Sequence, residues 1–306
     1  MTGEKIPSTD IHRDTLQAML SQERKYSVFR DDENEDVSLS KLHHLALTER
    51  KNVHDFRCSM VDWSCELVDF VGFQRETVDS ATSYFDRFLA SATLRNRGDF
   101  QLAYVTCLYL AIKCFETSVI ASQLFSEVSH GSFTAKDIER MEETILKVLG
   151  WQLNGPTCYA FVRQLLHLIP SNILPATMKE TVYELAKIQM ELSLRDYRFI
   201  SVKKSTIALA ALMNAFESLQ FDDSFGWRLA IEANLVIDVD EVVGVQTGLY
   251  QVFADAPQVD TFSTTTSSSK DTACHHLKSL RQVSSFGRDH ACIPHIQSPQ
   301  TVFNTR

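Results

Sequence analysis

Ten glycines and seven prolines among 306 residues leave little glycine-built chemistry in this chain. No glycine-rich loop is present that could cradle a phosphate, no His-Glu-x-x-His pair that could seat zinc on a helix, and no Gly-x-Ser-x-Gly turn that could raise a nucleophile. The sequence therefore points to no catalytic residues, no metal and no cofactor. Excess basic charge is missing too: 30 Lys and Arg against 39 Asp and Glu leave a net charge of −9. Proteins that bind nucleic acid generally gain most of their non-specific affinity by neutralising phosphates with cations, so protein partners are expected and nucleic acid is not. The longest apolar run, Leu102 to Ile112, is interrupted by Thr106 and falls well short of the roughly 20 residues that span a bilayer. Glu4, Lys5, Asp10, His12 and Arg13 break up the N-terminus, leaving no apolar stretch for a secretory signal. Seven cysteines are an odd number, and Cys65, Cys107 and Cys114 lie in apolar helical patterns. They read as reduced thiols of a soluble intracellular protein, nuclear or cytoplasmic, with no membrane attachment.

What is present is helical rhythm. Residues 1–50 are polar, include the acidic run Asp31 to Asp36, and are expected to form a loose lead-in with one helix near Leu39 to Leu47. From Val53, the residues Phe56, Met60, Trp63, Leu67, Phe70 and Val71 recur three or four apart, as one face of a helix must. Gly72 ends that helix. A second runs from about Glu76 with Val78, Ala81, Phe85, Phe88 and Leu89 inward, and a third from about Asp99 to Phe115 is apolar on nearly all sides, the mark of a domain's buried centre. A short fourth is expected over Val119 to Val128. A fifth, from Thr134 to Leu149, begins with Thr134 and Asp137 as a start signature and turns Ile138, Met141, Ile145, Val148 and Leu149 inward. Asn154-Gly155-Pro156 breaks the pattern, and the rhythm resumes over Cys158 to Leu168, Ala176 to Leu192, Val202 to Leu219, a piece around Trp227 to Leu235, and Val239 to Phe253. Beyond Pro257 a Ser/Thr/His/Gln-rich tail cannot bury enough apolar area to offset its ordering entropy. The fold class is all-α with no useful period-two alternation. The expected organisation is an N-terminal segment over 1–50, a first helical domain over 51–155, a second over 156–254 and a flexible tail over 255–306.

Several strings within this pattern resemble the cyclin box. They are Met60-Val61-Asp62-Trp63, Arg75-Glu76-Thr77, Tyr84-Phe85-Asp86-Arg87-Phe88-Leu89, Leu108 to Lys113, Phe133-Thr134, Met141-Glu142 and Ile145 to Trp151, matching in order and spacing as well as type. The resemblance is strong over about 50–155 and moderate over 156–254. Asp196-Tyr197-Arg198-Phe199 and Ser205 to Ala211 are most similar to cyclins of diatoms and related algae. It implies two tandem five-helix cyclin folds and a regulatory protein, not an enzyme, that binds and activates a cyclin-dependent Ser/Thr protein kinase in cell-cycle control.

The resemblance also implies roles for particular residues. Lys113 and Glu142 match the family's Lys and Glu that contact the kinase helix carrying its regulatory glutamate, with Phe115 and Leu146 as further candidates at that surface. Lys113 closes an apolar helix and can extend its ammonium from the domain edge, while Glu142 can accept hydrogen bonds from a partner. By spacing alone, both are ordinary exposed charges. Trp151 is a candidate for the same surface, with core packing the stronger reading. Arg57 and Asp86 match a structural ion pair inside the domain. Phe56, Arg57, Met60, Trp63 and Gln101 match a hydrophobic patch that recruits substrates or inhibitors with Arg-x-Leu type motifs, and Phe56 and Trp63 suit a core equally well. Two departures stand out: Ser59 replaces an aliphatic residue of the patch, and Cys114-Phe115-Glu116-Thr117 after Lys113 has lost one of two acids.

Remaining signals are weak. Cys274, His275, His276, His290, Cys292 and His295 contain no paired knuckle and read as incidental composition rather than a zinc site. Ser298-Pro299 is a minimal proline-directed phosphorylation site, and Arg13-x-x-Leu16 shares two residues with a destruction signal. Two alternatives stay open: a cyclin-fold transcription factor that touches DNA, and a scaffold that has lost kinase binding.

Overall fold

The computed structural model describes residues 8–26, 55–91, 94, 97–118, 122–128, 132–221, 231 and 238–255. Regular structure among these residues is entirely helical, as expected: α1 Ser8–Glu23, α2 55–71, α3 Glu76–Ser91, α4 Arg97–Phe115, α5 Ser122–Val128, α6 Ala135–Val148, α7 Cys158–Leu168, α8 Ala176–Arg195, α9 Lys204–Ser218 and α10 Val239–Asp255. Short 3-10 turns follow α1 at Arg24–Tyr26 and α8 at Tyr197–Phe199. The expected helix at Leu39 to Leu47 and the tail lie outside the described residues, as does nearly all of the piece around Trp227 to Leu235.

The helices form two compact units. One comprises the described residues within 24–155 together with 194–201, and the other those within 8–23, 156–193 and 202–255. In the first unit α4 is the axis, with every residue from 103 to 112 buried. Around it pack Met60, Val61 and Val68 of α2, Val78, Phe85 and Phe88 of α3, Phe125 of α5, and Ile138 and Ile145 of α6. Helix α6 starts as its sequence signature requires. Thr134 Oγ1 accepts from the Asp137 N–H at 3.2 Å and the Asp137 carboxylate accepts from the Thr134 N–H at 2.9 Å, a capping box.

One charged pair sits inside this core. Arg57 donates from Nε and Nη2 to the two carboxylate oxygens of Asp86 at 3.0 and 2.8 Å, and from Nη1 to the Leu194 carbonyl, with side-chain exposures of only 6% and 8%. Burial by itself would lower the guanidinium's pKa, and Asp86 outweighs it to give a net upward shift. The arrangement links α2, α3 and the end of α8. Nearby, Arg87 sits over the rings of Tyr26 and Tyr84 at 5.1 and 5.6 Å and donates to the Gln152 carbonyl. Gly155 is required at its position because a Cβ there would come within 2.8 Å of the Tyr26 ring.

The second unit contains a helix, α1, that the sequence pattern did not mark. On α1, His12, Thr15, Leu16, Met19, Leu20 and Glu23 form the less exposed face, and that helix packs on α7 and α9. His12 stacks on His167 of α7, ring centroids 4.5 Å apart and 7° from parallel, and pairs with Gln164 Oε1 at 3.0 Å. At the other end Glu23 accepts from the N–H and hydroxyl of Ser205 at 2.7 and 2.6 Å. It thereby caps α9, whose own N-cap, Lys203, supplies no side-chain bond. Leu16 is fully buried, so the Arg13-x-x-Leu16 pair is not presented as a linear signal.

Two outcomes are expected. Arg57→Met strands Asp86 and lowers stability by about 3–5 kcal/mol in a urea titration, whereas Arg57→Met with Asp86→Leu recovers most of the loss. His167 has its pKa lowered from 6.5 by partial burial and by His12, Lys179 and Arg163. Its neutral form is therefore the one the fold favours, and stability is present above that value and lost as pH falls below it. Amide exchange in α1, corrected for intrinsic rate, rises between pH 7.5 and 5.5 in the wild type and stays flat in His167→Phe.

Candidate functional site

Because α4 is buried along its length, its first strongly charged side chain after Asp99 emerges at the far end, where Lys113 is the last-turn cation. Lys113 Nζ meets Glu142 Oε1 of α6 at 2.5 Å, with side-chain exposures of 38% and 14%. Partial burial alone would lower the ammonium's pKa, but the Glu142 bond and charge outweigh it and shift it upward. The two residues picked out from sequence are thus brought together. Phe115 is 44% exposed just beyond them, while Leu146 is buried at 8% and supports α6 from beneath.

The retained acid of the Cys114-Phe115-Glu116-Thr117 segment has a different job. Glu116 accepts from the Gln74 N–H at 3.0 Å and the Thr77 hydroxyl at 2.5 Å, closing the start of α3. Its carboxylate faces into the unit's own backbone rather than toward a partner.

Trp151 overturns the expectation of core packing. It is 72% exposed and lies at φ 61°, directly after Gly150 at φ 57°. The two left-handed residues terminate α6 by sending the Trp151 N–H back to the Leu146 carbonyl at 3.0 Å and the Gly150 N–H to that of Lys147 at 3.2 Å. Glycine takes this conformation freely, but a bulky side chain does so at a cost. Val148, expected inward, is 38% exposed, and Phe70 and Val71 at the end of α2 are 55% and 37% exposed. In each case the last turn of a helix has run past the edge of the core.

The expected docking patch is corrected in the opposite direction. Phe56, Met60 and Trp63 are 3%, 0% and 3% exposed, and Arg57 and Gln101 5% each. Phe56 packs on Phe85 and edge-on against Phe100 at ring separations of 6.4 and 6.1 Å. Arg57 is committed to Asp86. Ser59 spends its hydroxyl on the Asp55 carbonyl at 2.7 Å. The expected patch side chains are buried rather than exposed.

Among the described residues no cluster of three or more His, Cys, Asp or Glu could hold a metal, and no helix is long and apolar enough to cross a membrane. The Cys/His positions of the tail and Ser298-Pro299 lie outside the described residues.

With this geometry in place, comparisons place the chain among known proteins. The family models "Cyclin, N-terminal domain" and "Cyclin, C-terminal domain" match residues 24–154 and 156–281. The chain belongs to the cyclin family. It is 32% identical to a G2/mitotic-specific cyclin-B of Patella vulgata over 168 residues, 55% of this chain and 39% of that one. It is 30% identical to Cyclin-A2 of Bos taurus over 207 residues, 67% of this chain and 46% of that one. The cyclin chain thus spans less than half the length of either relative. Among solved structures, a yeast RNA Pol II CTD kinase complex contains a chain similar at a TM-score of 0.54 and 15% identity, covering 80% of this chain and 81% of that one. That likeness concerns the fold, and agrees with two tandem cyclin folds.

Trp151→Gly is expected to leave the fold intact and raise stability by about 1 kcal/mol, because the left-handed strain is relieved and little buried area is lost. Thermal unfolding of the two proteins checks this.

Proposed function

We propose that this cyclin binds a cyclin-dependent Ser/Thr protein kinase and activates it, acting as a non-catalytic regulatory subunit in cell-cycle control. One observation carries the reading: Lys113 and Glu142 pair at the rim of the unit, where the apolar run of α4 ends, with Phe115, Val148 and Trp151 exposed on or just beyond the same two helices. A charge pair beside uncovered aromatic and aliphatic side chains has the makeup of a protein interface, in which apolar anchors supply affinity and charges supply register. Family membership supports it. So do the names of the relatives, G2/mitotic-specific cyclin-B among them, and the presence of a similar fold in a kinase complex.

In this proposal α4 and α6 offer a rigid surface to the kinase's mobile helix. Lys113 donates and Glu142 accepts, while Phe115 and Trp151 bury apolar area against the partner. Leu146 shapes the surface from below. Activation follows if the surface fits the conformer in which the kinase's own Lys–Glu pair and magnesium-binding aspartate are in place, since a ligand shifts an equilibrium only through its differential affinity for the two states. The segment 51–155 carries this interface, and 156–254, with α1 packed on α7 and α9, completes the body. The protein acts in the soluble phase of the nucleus or cytoplasm. No Arg-x-Leu docking role is assigned to Phe56, Met60, Trp63 and Gln101, which are buried.

The test is co-purification with candidate cyclin-dependent kinases, followed by phosphate transfer to a Ser-Pro peptide. Wild type is expected to bring down and activate a kinase. Lys113→Ala with Glu142→Ala, removing an exposed pair worth no more than about 1 kcal/mol of stability, stays folded but binds at least about tenfold more weakly. If wild type binds none of the kinases, the reading fails.

A further inference from the structure

Lys113 has a second neighbour that nothing in the cyclin assignment requires. Its Nζ lies 4.9 Å from the centre of the Tyr109 ring, one turn back on α4. Tyr109 is 9% exposed, and its ring packs edge-on against Phe125 of α5, centroids 5.5 Å apart at 70°. Phe125 is itself 1% exposed. The tyrosine is therefore fixed from behind by the core and presents its face to the ammonium. Ring faces carry negative quadrupole density and attract cations at this separation.

We propose that Tyr109 is a positioning residue for the partner-binding pair, its ring holding the Lys113 ammonium against Glu142 in the orientation that meets the partner. The consequence for partner binding rests on the kinase reading; the positioning itself does not. A lysine stem has several freely turning bonds, and an interface that must order them loses affinity for doing so. Here the ordering is completed before binding. An ammonium has three protons: Glu142 takes one, the ring face covers a second side, and the remaining direction is open for a backbone carbonyl of the partner. Phe125 of α5, Tyr109 of α4 and Glu142 of α6 thus act together on one cation.

The experiment uses the full chain with ¹³C-labelled lysine, Lys113 being assigned through Lys113→Gln. In wild type and Tyr109→Phe the Lys113 ε-methylene protons are expected upfield of the other lysines, from the ring current, and split by immobilisation. In Tyr109→Leu they return to the common position. Tyr109→Met serves as a second ring-free variant should the leucine protein fail to fold. The same proteins are titrated against a purified cyclin-dependent kinase that the wild type activates. The ring-free variants are expected to bind about two- to fivefold more weakly, the size of a partly exposed cation–π contact, with Tyr109→Phe equal to wild type. A purely space-filling role for Tyr109 predicts unshifted lysine signals throughout. That result, or equal affinity of the Phe and ring-free variants, overturns the proposal. If no kinase binds the wild type, the kinase reading fails, and the lysine spectrum alone decides whether Tyr109 positions Lys113.

Discussion

A helix with ten consecutive buried residues can place a charge only at its ends. That constraint on α4 organises the first unit. The other helices cover it from all sides, and its cation is displaced to the rim, where α6 brings a carboxylate within 2.5 Å. The candidate site is thus a by-product of core construction. The same burial that makes α4 the axis of the unit also sets the position from which Lys113 projects and supplies the aromatic ring behind it.

The two ion pairs of this unit show how depth changes the meaning of one interaction. Arg57 and Asp86, almost wholly covered and joined by two parallel bonds, hold α2 and α3 in register. Neither can be removed singly without leaving a charge in an apolar medium. Lys113 and Glu142 are closer together but partly wet, so their bond adds little to stability and is open to exchange for a partner's groups. Distance alone would rank them the other way. Glu116 follows the same logic, because a carboxylate that satisfies the start of α3 is no longer available to a partner.

Much of the fold was legible because helical periodicity is a local property. The faces of α2, α3 and α6 and the all-round burial of α4 could be counted from spacing, and Thr134 with Asp137 marked the start of α6 by residue type and spacing alone. The misreadings have a common cause. Phe70 and Val148 carry the right residue type at the right phase, but periodicity does not say where the core stops, and each lies on a last turn that overruns it, while Trp151 lies beyond α6 on the left-handed pair that ends it. Conversely, Phe56 and Trp63 suited a docking patch and a core equally well; both are buried, and Phe56 packs on Phe85 and Phe100, its neighbours distant in sequence. Helix α1 had a readable signal in His12, Leu16, Leu20 and Glu23, but one diluted by polar residues on both sides.

By itself the sequence determined the class and the helical phases, since these depend on residue type and on spacings of three and four along one helix; the pair at 113 and 142 was marked by the resemblance to the cyclin box, not by spacing. Tertiary structure alone decided which ends of helices stand clear of the core, that Glu116 is spent on a helix start, and that Phe125 of α5 backs the Tyr109 ring. Those are contacts between segments far apart in the chain, and they follow from how helices pack rather than from how any one of them is written.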